Sequence, residues 1–350
     1  MVYYLYIFVP ITTFLLTLLL TPLAMRAGKK RGYLSTAEDP EIKRPPVTDT
    51  GGLAVIFSIL AVLSLALFVV PSFFHGYKSS LFGILVGTVM IALLGFIDDR
   101  RQLSAGVKFA VQIAVSLLVM AFGVKIAKIT NPAGYPFELG YLSIPVTILW
   151  IVGITNAVNM TDGMDGLAPG VLTIGSLALF IISAFIGFPF LAVVMLAIFG
   201  STLAFLHFNY PPAKIILGNA GAYSLGFIVA TATIVQPIKA STFVVFFVPL
   251  LALGLPVLEM LITVFRRLAR KKKIYIRDTE HLHHVLLALG LPPQVVNWIF
   301  YCLSFLFATV AVGIAVGQGV LLIAFVFLLL LAFIVLSFKL HTHTNKKEAD

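Results

Sequence analysis

Apolar residues run along this chain in long blocks, broken at short intervals by compact polar clusters. The blocks fall at roughly 4–25, 51–70, 81–97, 107–124, 142–158, 167–186, 189–206, 220–236, 241–265, 294–314 and 318–338. Each comes close to the ~20 residues that a helix needs to cross a hydrocarbon core ~30 Å thick. The pattern predicts an all-α, polytopic integral membrane protein with about eleven transmembrane helices. Its least sharply marked boundaries are Gly187-Phe188 and Gly317-Gln318-Gly319, where few residues separate neighbouring blocks. Little chain is left between blocks, so residues 1–350 read as one transmembrane domain and a separate soluble domain is excluded.

Composition agrees: 60% of residues are hydrophobic, 11% are charged, and the mean hydropathy is +1.06, well outside the soluble globular range. The first block is not expected to be a cleavable signal peptide, because Arg26, Lys29, Lys30 and Arg31 follow it rather than precede it. By the positive-inside rule the N-terminus is then outside and the 26–50 loop cytoplasmic. Carrying the alternation forward places every Lys and Arg except Lys78, Lys125, Lys128 and Lys239 on the cytoplasmic side, with the C-terminus also inside. The formal net charge of +10 therefore reflects topology and attraction to anionic lipid, not a nucleic-acid partner. The single cysteine, Cys302, rules out an intrachain disulfide framework and a cysteine metal site.

The 14 acidic residues matter more by position than by number. Asp98 and Asp99 end the third block, Asp162 and Asp165 follow the fifth, Asn209 and Asn219 follow the seventh, and Asp278, Glu280, His281, His283 and His284 follow the ninth. All four clusters lie on the predicted cytoplasmic side, whereas Glu138 is the one acid of the outside loops. An Asp pair at a helix end can simply mark the water boundary, since an ionised Asp at midplane costs about 2.5–3.5 kcal/mol on insertion scales. Asp-Gly pairs are also ordinary turn formers. Convergence on one membrane face weakens both readings together. In NMTDGMDGLAPG, Gly163 and Gly166 permit backbone conformations that suit close approach to a phosphate or a metal-bound ligand.

The histidine segment carries Leu282, Val285, Leu286 and Leu289 at helical spacing, with Asp278 as a plausible N-cap. It predicts a short amphipathic interfacial helix whose His281, His283 and His284 face water or a site. Beside the run RRLARKKK these imidazoles suggest anion binding, and zinc is the weaker option. Carboxylates, amides, a lysine, arginines and histidines at one membrane face together indicate Mg2+-assisted phosphoryl transfer. No GxxxxGK[ST] sequence supports a P-loop. An ion-coupled transporter is the rival class, but its acids would sit near mid-membrane, and Glu259 is the one candidate there. A scaffold protein is a third option.

The ordered set PPVTDTGG, GFIDDRRQLSAGVK, NAVNMTDGMDGLA, FNYPPAKIILGNAG and HLHHVLLALG resembles the polyprenyl-phosphate N-acetylhexosamine-1-phosphate transferases. The likeness spans nearly the whole chain, and HLHH favours the bacterial undecaprenyl-phosphate N-acetylglucosamine-1-phosphate transferases that start teichoic acid, O-antigen and common-antigen synthesis. The phospho-N-acetylmuramoyl-pentapeptide transferases, which usually carry HHHxE, are the alternative. The resemblance implies a site in the bacterial cytoplasmic membrane, built from loops near 26–50, 98–108, 159–166, 207–222 and 266–293. There, UDP-GlcNAc would donate GlcNAc-1-phosphate to undecaprenyl phosphate, with Mg2+ (or Mn2+) as cofactor. It further implies catalytic roles for Asp98, Asp99, Lys108 and Asp162, and metal binding by Asn159 and Asn219. Asn156, Asp165, Asn209, Arg277, His281, His283 and His284 would contact substrate, and a homodimer is implied. Two positions depart from the pattern. Asn219 stands where such sequences read Asp, which predicts a weakened hard-cation site, and Asp49 precedes the Gly pair where a basic or apolar residue is usual.

Overall fold

The computed structural model describes residues 2–35, 45–130, 136–235, 248–269 and 282–316. Among them the chain is a helical bundle: α1 (Val2–Lys30), α2 (Gly51–Val69), α3 (Lys78–Arg101), α4 (Ala105–Ala121), α5 (Ser143–Thr161), α6 (Leu167–Phe185), α7 (Pro189–Asn209), α8 (Gly218–Ile234), α9 (Val248–Ala252), α10 (Gly254–Ala269), α11 (Leu282–Ala288) and α12 (Pro293–Ala315). Two antiparallel hairpins of two and three residues per strand, β1 (Leu34–Ser35) with β2 (Val47–Thr48) and β3 (Lys128–Thr130) with β4 (Pro136–Glu138), sit between helices.

Seven of the described helices are long and apolar enough to span a bilayer. The blocks expected to make α4 and α8 give 17-residue helices, each about 25 Å long at ~1.5 Å per residue. The block expected at 241–265 is not one helix among the described residues: α9 stops at Ala252 and α10 restarts at Gly254. Pro256 lies four residues beyond Ala252 and has no N–H with which to bond its carbonyl. The last block, 318–338, lies outside the described residues.

Packing follows the side-chain pattern of each helix. On α1, Tyr3, Ile7, Ile11, Leu15, Leu19 and Leu23 are exposed, a stripe suited to lipid. Its opposite stripe, Leu5, Val9, Thr13, Thr17 and Thr21, is buried against α7. The threonines are tolerated there because their hydroxyls find acceptors. Thr13 donates to the Val9 carbonyl and Thr21 to the Thr17 carbonyl, while Thr17 and Ser201 of α7 share a 2.8 Å hydrogen bond. Helix α8 is buried from Ala220 to Thr233, enclosed by α2, α3, α5 and α7, as a helix apolar on all sides must be.

The loops at one end of the bundle are joined by main chain. The Ile216 amide donates to the Thr48 carbonyl (2.9 Å), and the first two amides of α2, on Gly51 and Gly52, donate to the carbonyls of Ile216 and Leu217 (3.1 and 2.8 Å). These bonds satisfy donors that a helix start leaves without an intrahelical acceptor. They also bring the N-termini of α2 and α8 to the end of α3 that carries Asp98 and Asp99.

Candidate active site

Neighbouring residues on a helix point about 100° apart, and the two aspartates at the end of α3 accordingly face different partners. Asp98 is 3% exposed, so its charge must be compensated. Its Oδ2 accepts from Lys108 Nζ (3.1 Å), Asn219 Nδ2 (3.1 Å) and the Tyr223 hydroxyl (3.3 Å), and its Oδ1 accepts from the Leu103 amide (2.9 Å). Asp99 turns to the start of α8, where its carboxylate accepts from the amides of Asn219 (2.9 Å) and Ala220 (3.4 Å). The helix dipole favours a negative charge there.

Asn219 continues the chain of contacts, its Oδ1 accepting from Asn159 Nδ2 at 2.7 Å. Lys108, Asp98, Asn219 and Asn159, contributed by α4, α3, α8 and α5, thus form one polar line. Four of the expected site residues, remote in sequence, meet here. One turn before Asn159 on α5, Asn156 donates to Gln112 Oε1 of α4 at 2.7 Å; Gln112 is a buried polar residue in an apolar helix that sequence reasoning passed over.

The loop after α5 is held from both sides. Asp162 caps the helix, its amide donating to the Asn159 carbonyl. Asp165 is buried, and its Oδ2 accepts from the Ala213 amide at 3.0 Å. Asn209, expected to touch substrate, is 2% exposed and engaged on both sides of its amide. Its Oδ1 accepts from the Gly166 amide and its Nδ2 donates to the Ile215 carbonyl, each at 2.8 Å. In this structure it staples two loops together. Asn297 and Tyr301 of α12 were not anticipated: they donate to the carbonyls of Asp165 (2.8 Å) and Gly166 (2.7 Å). A buried Asn one turn before a Tyr in an apolar helix is the signal that could have found them.

Both loop glycines were expected to adopt unusual backbone, but only Gly166 does (φ +80°). Gly163 serves a different need: a Cβ there would stand 2.7 Å from His283 Nε2. The expected histidine helix is seen over its described part, α11, but its orientation differs from the apolar stripe foreseen. His283 is 1% exposed and lies with Leu286 and Leu287 on the buried side, whereas Leu289 is 46% exposed. Burial of His283 against the 160s loop overrides the leucine spacing. His284 is half-buried, its ring centroid 4.2 Å from that of His283. Arg277, Asp278 and His281 lie outside the described residues.

Asp49 also acquires a partner. Arg100 Nη2 is 3.1 Å from Asp49 Oδ1, and the guanidinium lies over the rings of Tyr33 (4.0 Å) and Phe96 (3.9 Å). A planar cation held between aromatic faces and a carboxylate ties the loop before α2 to the end of α3.

A hard divalent cation takes oxygen ligands, and Mg2+ commonly uses one or two protein groups together with substrate phosphates. The donor set at the polar line is of that kind: the carboxylate of Asp98 and the amide oxygens of Asn159 and Asn219. Among the described residues no cluster of three or more His, Cys, Asp or Glu could hold a metal by itself. The residues therefore fit a cation shared with a phosphate ligand.

The sequence matches the profile of the family described as "Glycosyl transferase family 4" over residues 81–236, which span α3 to α8. It is 32% identical over 304 residues to the probable undecaprenyl-phosphate N-acetylglucosaminyl 1-phosphate transferase of Bacillus subtilis (strain 168), covering 86% of this chain and 83% of that protein. The chain belongs to glycosyl transferase family 4. Within this family it is also 29% identical over 310 residues to the decaprenyl-phosphate N-acetylglucosaminephosphotransferase of Mycobacterium leprae (strain TN), covering 81% and 77% of the two chains. The phospho-N-acetylmuramoyl-pentapeptide-transferase of Streptococcus pneumoniae serotype 2 is 32% identical over 232 residues, 62% of this chain and 69% of that one.

Proposed function

We propose that this glycosyl transferase family 4 member transfers GlcNAc-1-phosphate from UDP-GlcNAc to undecaprenyl phosphate, releasing UMP and leaving undecaprenyl-pyrophosphate-GlcNAc in the bacterial cytoplasmic membrane. The observation that carries this reading is the polar line from Lys108 through Asp98 and Asn219 to Asn159. It lies at the ends of four helices, where a soluble nucleotide sugar and a lipid phosphate can meet. The bacterial GlcNAc-1-phosphate transferase named above, alike over most of both chains, supports the choice of donor and acceptor. HLHH in place of HHHxE favours GlcNAc over the muramoyl-pentapeptide.

An acceptor phosphate oxygen attacks the phosphorus that bears the sugar, and the bond from that phosphorus to the UMP oxygen breaks. Phosphate monoesters have a second pKa near ~6, so at neutral pH much of the acceptor is already the dianion and little proton removal is needed. Lys108 counters phosphate charge, and Asp98, the neighbour it shares with Asn219, orients the acceptor. Asp99 holds the first amides of α8 and so fixes Asn219. Asp162 and Asp165 shape the loop that receives the nucleotide. His283 and His284, with Arg277 and His281, bind its phosphates or sugar. When bound through Asn159 and Asn219, Mg2+ supplies charge neutralisation of the diphosphate. Asn in place of Asp at position 219 keeps a carbonyl oxygen but removes a negative charge, which weakens that cation site. The basic residues support an N-out, C-in orientation with this face in the cytoplasm.

Purified protein incubated with labelled UDP-GlcNAc, Mg2+ and undecaprenyl phosphate tests the reading. Label in the lipid fraction with stoichiometric UMP is expected. Product formed only from UDP-N-acetylmuramoyl-pentapeptide, or uptake into vesicles without chemistry, would overturn it.

A further inference from the structure

Outside the polar site, a cavity of about 420 Å3 opens where α1, α2 and α3 approach one another, within the ~300–1,000 Å3 range of ligand pockets. The lining is small where α1 faces α2, with Ala24, Ala27 and Ala54 in the wall, while Gly28 lets α1 close tightly on Thr48 and Thr50. Its far wall is aromatic and fixed. Tyr33 and Phe96 line it, and both rings are held in place by the Arg100 guanidinium already described. Thr50 also lines it, but its hydroxyl is used on the Ala24 carbonyl (3.0 Å), which leaves the interior almost wholly apolar. The outer edge carries Leu23 and Phe57, which are 50% and 61% exposed, so the cavity opens on the lipid-facing side of the bundle.

One end differs in charge. Arg31 lines the cavity, and the exposed residues Arg26, Lys29 and Lys30 precede it on the last turns of α1. An apolar slot with an arginine in its wall, at the basic end of α1, matches a molecule with an apolar chain and an anionic head. We infer that this cavity binds one acyl chain of an anionic phospholipid, with the lipid phosphate on Arg31 and the basic turn of α1. Basic residues near a membrane surface attract anionic headgroups in this way. None of the side chains given a role in the proposed transfer lines this slot. Through Phe96, on the same turn as Asp99, the bound chain packs against the helix that carries the catalytic pair.

The experiment uses full-length protein, purified in mild detergent and stripped of lipid, with binding read by native mass spectrometry. Phosphatidylglycerol, phosphatidylcholine of identical chains and undecaprenyl phosphate are titrated separately and in competition. One tightly held phosphatidylglycerol per chain is expected. The Arg31→Gln variant, altered at an exposed position, is expected to bind it about five-fold more weakly, the scale of one basic residue at an anionic surface. Ala27→Leu, which places a side chain in the slot from another exposed position, is expected to lose the site while leaving undecaprenyl phosphate binding intact. Equal retention of the two phospholipids by the wild-type chain overturns the inference. So does undecaprenyl phosphate that displaces phosphatidylglycerol and is itself lost in Ala27→Leu, or a dimer cross-linked through residue 27 that closes the slot in lipid-free protein. Because binding is read without turnover, failure here and failure of the proposed transfer are distinguishable.

Discussion

Replacing Asp99 separates a carboxylate that positions from one that reacts. Its two oxygens accept from the Asn219 and Ala220 amides at 2.9 and 3.4 Å, so it acts as a cap for α8 supplied by α3. Loss of a helix cap to Ala costs about 0.5–2 kcal/mol, and a hydrogen bond to a charged acceptor contributes about 1.5–3 kcal/mol. The 3.4 Å contact is weak, and the two figures describe overlapping interactions. Asp99→Ala is therefore expected to cost about 2 kcal/mol. Asp99→Asn keeps one oxygen on the shorter bond and loses mainly the charge–dipole attraction, about 0.3–1 kcal/mol. At roughly 2 °C per kcal/mol for a large domain, thermal unfolding in detergent should fall by about 4 °C for Ala and by about 1 °C for Asn. Trp150 and Trp298, the chain's two tryptophans, report the transition by fluorescence. Turnover should track this order, with Asn retaining measurable activity because Asn219 stays in place. An Asp99→Asn protein with wild-type melting and no turnover would refute the capping role and make Asp99 a reacting group.

Three further outcomes follow from the same geometry. Asn219→Asp should lower the Mg2+ concentration needed for half-maximal transfer, measured by metal titration; an unchanged titration counts against a cation at this position. Asp49→Asn and Arg100→Gln should each reduce transfer and stability, by about 1 kcal/mol as expected for one cation–π and ion-pair contact. Arg100→Lys should fail to restore them, because an ammonium lacks the planar face that lies over Tyr33 and Phe96; full rescue by Lys would show that charge alone matters. Gly163→Ala places a Cβ 2.7 Å from His283 Nε2, which should displace α11, raise KM for the nucleotide sugar and leave thermal stability within ~1 kcal/mol; an unchanged KM would detach the histidine helix from donor binding.

Much of this was legible along the chain because helices in lipid announce themselves by length. The blocks at 51–70, 167–186 and 294–314 became α2 (51–69), α6 (167–185) and α12 (293–315) within a residue or two. The Asp pair, Asn159 and Asn219 were also visible, since polar residues at the ends of apolar runs stand out. What stayed hidden depends on tertiary pairing. Asp49 had no local explanation until Arg100, 51 positions away, was seen beside it. Asn209 had the look of a ligand-binding amide, yet both of its polar ends are spent on backbone. Asn297 and Tyr301 sit inside an apolar run, where a length criterion discounts them. On α11 the spacing of leucines suggested the inward face, but a seven-residue helix is too short for periodicity to outweigh one buried imidazole.

The backbone joint between the loop before α2 and the loop before α8 has a bearing on how this protein can vary. Its three bonds, from Ile216, Gly51 and Gly52, are made by groups that every residue except proline carries, so side chains at Thr48, Ile216 and Leu217 can be exchanged without unfastening it. What the joint cannot tolerate is bulk: a methyl at Gly52 would lie 2.3 Å from the Gly221 nitrogen. At these positions mutational tolerance should be judged by volume rather than by chemistry, and a library confined to residues 48, 51, 52, 216 and 217 would sort its survivors by size.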